Sequence, residues 1–220
     1  MTLRPKIDLD NNDRKRNIWF TSDIHYNHEN MIKIKNRPFE NIDEMNSYII
    51  SQFKSYVKQG DIVFDLGDMI WKESPELIKE FRKVIPEKSY KIFGNHDNQE
   101  SYMSGAYGNR WKTKSDILDV IIKYKGEDIQ VNMCHYPLLD WNHRFRGSWG
   151  LHGHVHGNLD NLNKESGELR LDVGFDTELA KEIGTFLIPF DEIYKRMKLI
   201  TNGETFRNWA REKDGSGKIL

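Results

Sequence analysis

Gly94-Asn95-His96-Asp97 sets a neutral amide, an imidazole and a carboxylate directly after an apolar run, residues 90–93, that reads as a buried strand ended by Gly94. Ligands and catalytic groups collect where the strands of an α/β sheet open into loops. Asn, Asp and Gly are also ordinary turn formers, so this stretch alone could be only a turn. Four further strand ends carry the same cargo. Ile18-Trp19-Phe20 runs into Asp23-Ile24-His25, and Ile62-Val63-Phe64 runs into Gly67-Asp68. An apolar segment over 129–134 ends on His135, and Gly153-His154-Val155-His156-Gly157 follows later. In an extended segment, residues two apart point to one face. Asp23 with His25, and His154 with His156, are therefore expected as extended pairs, each suited to one metal ion. The plainer reading of Asp23 and His25 is a helix cap followed by a surface histidine.

The rim groups are Asp23, His25, Asp68, Asn95, His96, His135, His154 and His156. They offer oxygen and nitrogen without thiolate. That set suits divalent Mn, Fe, Zn, Co or Ni, and is too rich in imidazole for Mg or Ca. With one carboxylate shared, it suffices for two ions, which at about 3.5–4 Å apart clamp a reacting phosphoryl group and generate hydroxide at neutral pH. All eight histidines of the chain fall between His25 and His156, a clustering that surface histidines would not show.

The chain has 220 residues, 37% of them apolar and 30% charged, enough for one domain with a sizeable core. With 33 basic and 34 acidic residues, the formal charge of −1 shows no global basic excess of the kind that marks nucleic-acid binders, although a local patch stays open. No apolar run approaches a membrane span. The N-terminal stretch is charged and lacks the apolar core of a secretion signal. Cys134 is the sole cysteine, which excludes an intrachain disulfide and a cysteine-based zinc site. A cytoplasmic protein is expected.

Residues 1–16 read as a flexible extension or weak edge strand, 17–200 as the domain, and 201–220 as a polar tail with Trp209 as a candidate anchor. A short helix over 28–35 is broken by Asn36-Arg37-Pro38. Asn41 caps the next helix with Glu44 as its capping-box partner, and Met45, Ile49 and Phe53 form its buried face. Ser74-Pro75 starts a third helix, stopped by Pro86. Residues 98–115 read as loop with a helical turn. Strands at 117–124 and 129–134 are joined by a hairpin-like turn over 125–128. A strand at 169–173 and a helix from Phe190 complete the pattern. Asp65, inside its strand, reads as a structural hydrogen-bonding group.

Asp-x-His, Gly-Asp, Gly-Asn-His-Asp, a later His and Gly-His-x-His, in that order, resemble the calcineurin-like metallophosphoesterases. Segments 20–28, 36–39 and 151–157 are similar to a small subgroup of bacterial and phage type, and the resemblance runs over about 18–193. It implies an α/β fold, a two-sheet sandwich flanked by helices, which periodicity alone does not fix. It implies that Asp23, His25 and His156 bind one metal, that Asn95, His135 and His154 bind a second, and that Asp68 bridges them. Mn2+ is the foremost expectation. A bridging hydroxide would attack phosphorus in line, His96 would protonate or stabilise the leaving oxygen, and Asp97 would orient His96. One departure is informative. Gly67-Asp68 is followed by Met69-Ile70-Trp71-Lys72, without the acidic-arginine-glycine pattern of the family's protein phosphatases, which argues against a phosphoprotein substrate.

Four further residues are candidates for holding substrate: His28, Arg37 through a bidentate phosphate clamp, and Asn142 and Arg144 in a loop whose tryptophan and guanidinium groups suit a nucleotide. Each could equally be structural or solvated. His152 reads as structural, Cys134 as a buried strand residue, and Asp172 and Asp176 as groups behind the rim. The expected activity is hydrolysis of a phosphodiester or a small phosphorylated, nucleotide-like substrate. A nuclease acting on DNA or RNA ends is the alternative, although a processive one should show a longer basic groove. A non-catalytic scaffold, such as the retromer subunit that shares the fold, is a further alternative, which His96 and the full ligand set oppose.

Overall fold

Ile18-Trp19-Phe20 is apolar throughout because both faces of its strand are covered. Ile18 and Phe20 face a core between two sheets, whereas Trp19 faces a second core beneath helices. The same alternation holds at Ile62, Val63 and Phe64. The computed structural model describes residues 5–10 and 16–203; the candidate anchor Trp209 lies outside them. In chain order the elements are β1 (Lys6–Asp8), β2 (Ile18–Thr21), α1 (Asn30–Ile34), α2 (Ile42–Tyr56), β3 (Ile62–Asp65), α3 (Pro75–Phe81), β4 (Ser89–Ile92), α4 (Gln99–Met103), β5 (Trp111–Ser115), β6 (Ile117–Tyr124), β7 (Glu127–Cys134), β8 (Trp149–His152), α5 (Asp160–Ser166), β9 (Arg170–Asp172), α6 (Glu178–Ile183), β10 (Ile188–Pro189) and α7 (Phe190–Ile200).

Two five-stranded sheets face one another, in the orders β10-β2-β3-β4-β5 and β1-β6-β7-β8-β9. In the first, β2 to β5 are parallel and β10 is antiparallel. In the second, only the β6–β7 hairpin is antiparallel. Phe20, Phe64 and Ile92 meet Val120, Val131, Met133 and Trp149 between the sheets. On the outer face of the first sheet, Met45, Ile49 and Phe53 of α2 pack with Ile78 and Phe81 of α3. The α/β sandwich implied by the resemblance is therefore the fold of the chain.

Local signals set the boundaries. Asn41 accepts from the Glu44 amide, and Glu44 reaches back to the Glu40 amide, one position before the cap. Ser74 accepts from the Leu77 amide ahead of Pro75. The hairpin turn is tighter than expected. Lys125 and Gly126, at φ 51° and 78°, turn alone, as in the two-residue turns that match strand twist. The Asp10 carboxylate accepts from both of their amides. Residues 98–115 hold more structure than their composition suggests. Asn98 caps α4, and Trp-Lys-Thr-Lys-Ser forms β5, an edge strand pairing only with β4. Charges on an edge strand discourage further pairing, and they also hide it from a search for apolar alternation. Among the described residues, no helix is long and apolar enough to cross a membrane.

The sheets meet at their working end. Ser22 bridges Gly174, the Phe175 amide donates to Ser22 O, and the Gly153 amide donates to His135 O. The loop after β2 thereby interlocks with that after β9, the His154 amide after β8 donates to Asp23, and His135 after β7 reaches Leu66 O and Asn95 Oδ1 after β3 and β4.

Candidate metal centre

The loops leave their strands abruptly. Asp23, His25, Asp68, His154 and His156 all have positive φ, between 50° and 69°. Such conformations are uncommon away from glycine and persist only where the surroundings enforce them. Here the Asp23 amide donates to Gly67 O, and the His25 amide to Asp68 O, at 2.9 and 3.0 Å. The expectation of extended pairs is therefore revised. β2 ends at Thr21 and β8 at His152, and the i, i+2 residues lie in left-handed turns beyond them. Side-chain convergence comes from loop strain enforced across strands, not from pleat alternation.

Ligand atoms of Asp23, His25 and His156 lie within 4.8 Å of one another, as do those of Asp23, Asp68 and His135. Asp23 Oδ1 is 4.0 Å from His25 Nε2 and 3.6 Å from His156 Nε2. Asp68 Oδ2 is 3.8 Å from His25 Nε2 and 3.5 Å from His135 Nε2. His135 Nε2 faces Asn95 Oδ1 at 3.2 Å. The His154 ring stands edge-on to that of His135, with centroids 5.1 Å apart. Each carboxylate has one oxygen pinned by a backbone amide: Asp23 Oδ2 by His154 N and Asp68 Oδ1 by His96 N, both at 2.8 Å. The other oxygen of each turns toward imidazoles.

These groups fit a bound cation. Asp23 Oδ1 is buried without a hydrogen-bond partner, a costly state unless something else satisfies it. His135 Nδ1 donates to Leu66 O at 2.7 Å and His156 Nδ1 to Asp176 Oδ2 at 2.7 Å, so each Nε2 presents its lone pair inward. Burial, then the neighbouring His156, holds the His25 imidazolium down to about 2, and burial lowers His135 as well. Neutral imidazoles are what a metal takes. Burial, then the charges of Asp172 and Asp68, pushes Asp23 well above the usual carboxylate range. A cation would relieve that repulsion.

The surrounding residues hold this arrangement. Arg37 is buried, and its guanidinium forks onto both Asp176 oxygens at 2.9 Å while donating to the carbonyls of Asp23 and Ile24 at 2.8 Å. Burial alone would raise Asp176, but hydrogen bonds from His156 and Arg37 outweigh it and bring the carboxyl down to about 2. Asp176→Asn is expected to weaken metal binding about 10–100-fold with little change in the far-UV spectrum, checked by Mn2+ titration. Asp172 accepts from the Gly157 and Gly174 amides at 2.9 and 2.8 Å. Gly153 lies so close to β2 that an added Cβ would collide with Ser22 Oγ and Asp23 Oδ2. Gly153→Ala is expected to cost about 1–3 kcal/mol by overpacking and to displace Asp23. Thermal unfolding and metal stoichiometry check both effects.

His96 is exposed at the mouth, its ring 5.5 Å from that of His25 and edge-on to Trp71 at 4.8 Å. Asp97 does not reach the His96 ring. Its carboxylate accepts from the amides of Asp68 and Gly94 at 3.0 and 2.7 Å and pairs with Lys91 at 2.8 Å, holding the loop rather than the imidazole. His28 lies flat on Trp71, ring centroids 3.8 Å apart and 2° from parallel, and 5.3 Å from the ring of His25. Asn142 and Arg144 are engaged elsewhere: Asn142 donates to Asp119, and Arg144 forks onto Glu168 at 2.7 and 3.0 Å. Reading the sequence missed Trp71, whose signal was its place three residues after Asp68, and Lys91, whose signal was a charge inside an apolar run.

A two-sheet α/β sandwich with carboxylates, imidazoles and an amide gathered at its interlocked strand ends defines a metallophosphoesterase architecture. The chain belongs to the calcineurin-like phosphoesterase family, whose model matches residues 16–172. Family membership supports metal-dependent phosphoesterase chemistry in general. The chain is 33% identical over 144 residues to "Uncharacterized protein MJ1445" of Methanocaldococcus jannaschii, covering 65% of this chain and 71% of that one. It is 25% identical over 199 residues to "Gene 66 protein" of Mycobacterium phage L5, covering 81% and 92% respectively. Its fold is similar to that of the crystal structure of AQ665, a protein of unknown function from Aquifex aeolicus, with a TM-score of 0.58 at 22% identity, over 82% of this chain and 98% of that one.

Proposed function

We propose that the chain is a two-metal phosphodiesterase acting on small, nucleotide-like substrates. The observation that carries this reading is the pair of half-pinned carboxylates: Asp68 Oδ2 stands between His25 and His135, and Asp23 Oδ1 between His25 and His156. Asp23, His25 and His156 would hold one ion, Asn95, His135 and His154 would hold the other, and Asp68 would serve both. Divalent ions there, Mn2+ ahead of Fe, Zn, Co or Ni, would neutralise the phosphoryl oxygens and bring the pKa of water toward neutrality. His96, exposed at the mouth with its ring 5.5 Å from that of His25, gives a proton to the leaving oxygen.

Aromatic surface flanks the site on two sides and supports a nucleobase or aryl substituent. Trp71 and His28 form one wall. On the other, Tyr136 is 45% exposed and stands 4.7 Å from the His154 ring. Base–aromatic stacking contributes about 1–3 kcal/mol per base.

Metal-stripped protein given Mn2+ is expected to hydrolyse bis-p-nitrophenyl phosphate faster than p-nitrophenyl phosphate. Preference for the monoester would replace the diesterase reading with a phosphatase. Two bound ions with no turnover of either ester would favour a scaffold.

A further inference from the structure

Lys91 has no exposed surface, yet it sits in β4, the strand that delivers Asn95 and His96. A buried ammonium is tolerated only when it is fully paired. Its Nζ lies 2.6 Å from Asp65 Oδ2, 2.8 Å from Asp97 Oδ1 and 4.9 Å from the ring centre of buried Tyr102. Both carboxylates continue the connection. Asp65 Oδ1 accepts from the Gly67 amide at 3.1 Å. Asp97 Oδ2 accepts from the amides of Asp68 and Gly94, and Tyr102 Oη donates to Asp97 Oδ1 at 3.3 Å. Lysine and carboxylates thus tie the Gly67-Asp68 turn to the Gly94-Asn95-His96 turn. The two turns approach so closely that a Cβ on Gly94 would overlap Asp68 Oδ1 and stand 2.8 Å from Asp68 N. The other half of the site does not use this device: His156 is held by Asp176 and Arg37, and Asp23 by the His154 amide.

We infer that Lys91 is a positioning residue for one of the two metal subsites. Through Asp65 and Asp97 it sets the distance from Asp68 to Asn95. Shared Asp68 reaches both subsites, but only that of Asn95, His135 and His154 takes a second donor from the clamped turns, so its affinity depends on Lys91 more than that of Asp23, His25 and His156. The inference rests on the two-ion reading above. A rigid clamp suits this task better than a mobile one, because both turns carry donors to the same ion and the helix that follows the second turn, α4, has only 5 residues.

The test is Mn2+ titration of Lys91→Met by calorimetry, with paramagnetic resonance reporting the coupled ion pair. Asp65→Asn/Lys91→Met runs beside it, removing one buried charge of each sign while keeping an acceptor for the Gly67 amide. The expected result is one affinity lowered about 10–100-fold, the scale found when residues supporting a metal ligand are removed. The other affinity falls several-fold less, and the pair signal appears only at higher Mn2+. Equal weakening of both subsites, no weakening of either, or failure of both variants to fold would overturn the inference and make Lys91 a general stability residue. A wild-type protein that binds only one ion would overturn the two-ion reading, and the inference with it.

Discussion

His96→Ala is expected to bind metal as the wild-type protein does and to turn over about 10²–10⁴-fold more slowly, the range for loss of a general acid. The two halves of that expectation come from different atoms of one residue. The His96 amide donates to Asp68 Oδ1 at 2.8 Å, and this main-chain bond survives the substitution. The imidazole has no such structural duty: it is exposed, and among the described residues its ring contacts are with His25 and Trp71. The deficit should depend on the substrate. A p-nitrophenolate departs without much help, whereas an alkoxide needs a proton, so the variant should be impaired more on an alkyl diester than on bis-p-nitrophenyl phosphate. Steady-state rates on the two esters, with metal stoichiometry measured on the same samples, check the split. Parallel loss of metal and activity would instead make His96 a ligand or a loop residue.

The sequence displayed the candidate ligands but not the way they are held. Strand ends carrying Asp, Asn and His were visible because short, largely apolar runs lead into them. The left-handed turns at Asp23, His25, Asp68, His154 and His156 were not, since nothing in the residue types demands positive φ there and the constraint comes from amides bonded across strands. Lys91 was read as part of an apolar strand because periodicity registers burial and is blind to a charge satisfied by residues 26 positions away. Arg37 was open to clamping phosphate or to holding its own loop. Its partner Asp176 lies 139 positions along the chain, a pairing only the closed sandwich creates. Asn142 and Arg144 fall between two ligand blocks in sequence, yet their side chains pair with Asp119 of β6 and with Glu168. Proximity along the chain did not become proximity to the site.

Removing the metals is expected to abolish activity, lower the melting temperature and reverse the sign of the pH dependence that Asp23 imparts. Burial, with Asp172 and Asp68 adding to it, raises the folded-state pKa of Asp23 well above its ordinary value of 3.8. An acid raised on folding binds its proton more tightly in the folded state than in the unfolded state. Between those two pKa values the folded state holds more protons, so stability falls as pH rises. The metal-free protein should therefore lose Asp23's contribution on passing upward through the raised value. Asp176 works in the opposite direction: with its folded value near 2, its contribution is present above 3.8 and lost only as pH falls through about 2. Asp176 therefore does not offset Asp23 at mildly acidic and neutral pH, whereas the lowered imidazoles of His25 and His135 oppose it below their ordinary value of 6.5. A bound cation takes the place of the proton on Asp23 and cancels the penalty. At 100- to 1,000-fold excess over the dissociation constant, it adds about 2.7–4.1 kcal/mol. The gap in melting temperature between Mn2+-loaded and chelator-treated protein should then widen from pH 5 to pH 8, and calorimetry in buffers of different ionisation enthalpy should detect proton release on binding below Asp23's raised value. A constant gap with no proton release would mean that Asp23 is already ionised in the metal-free protein, with its buried Oδ1 neutralised by a group other than the metal.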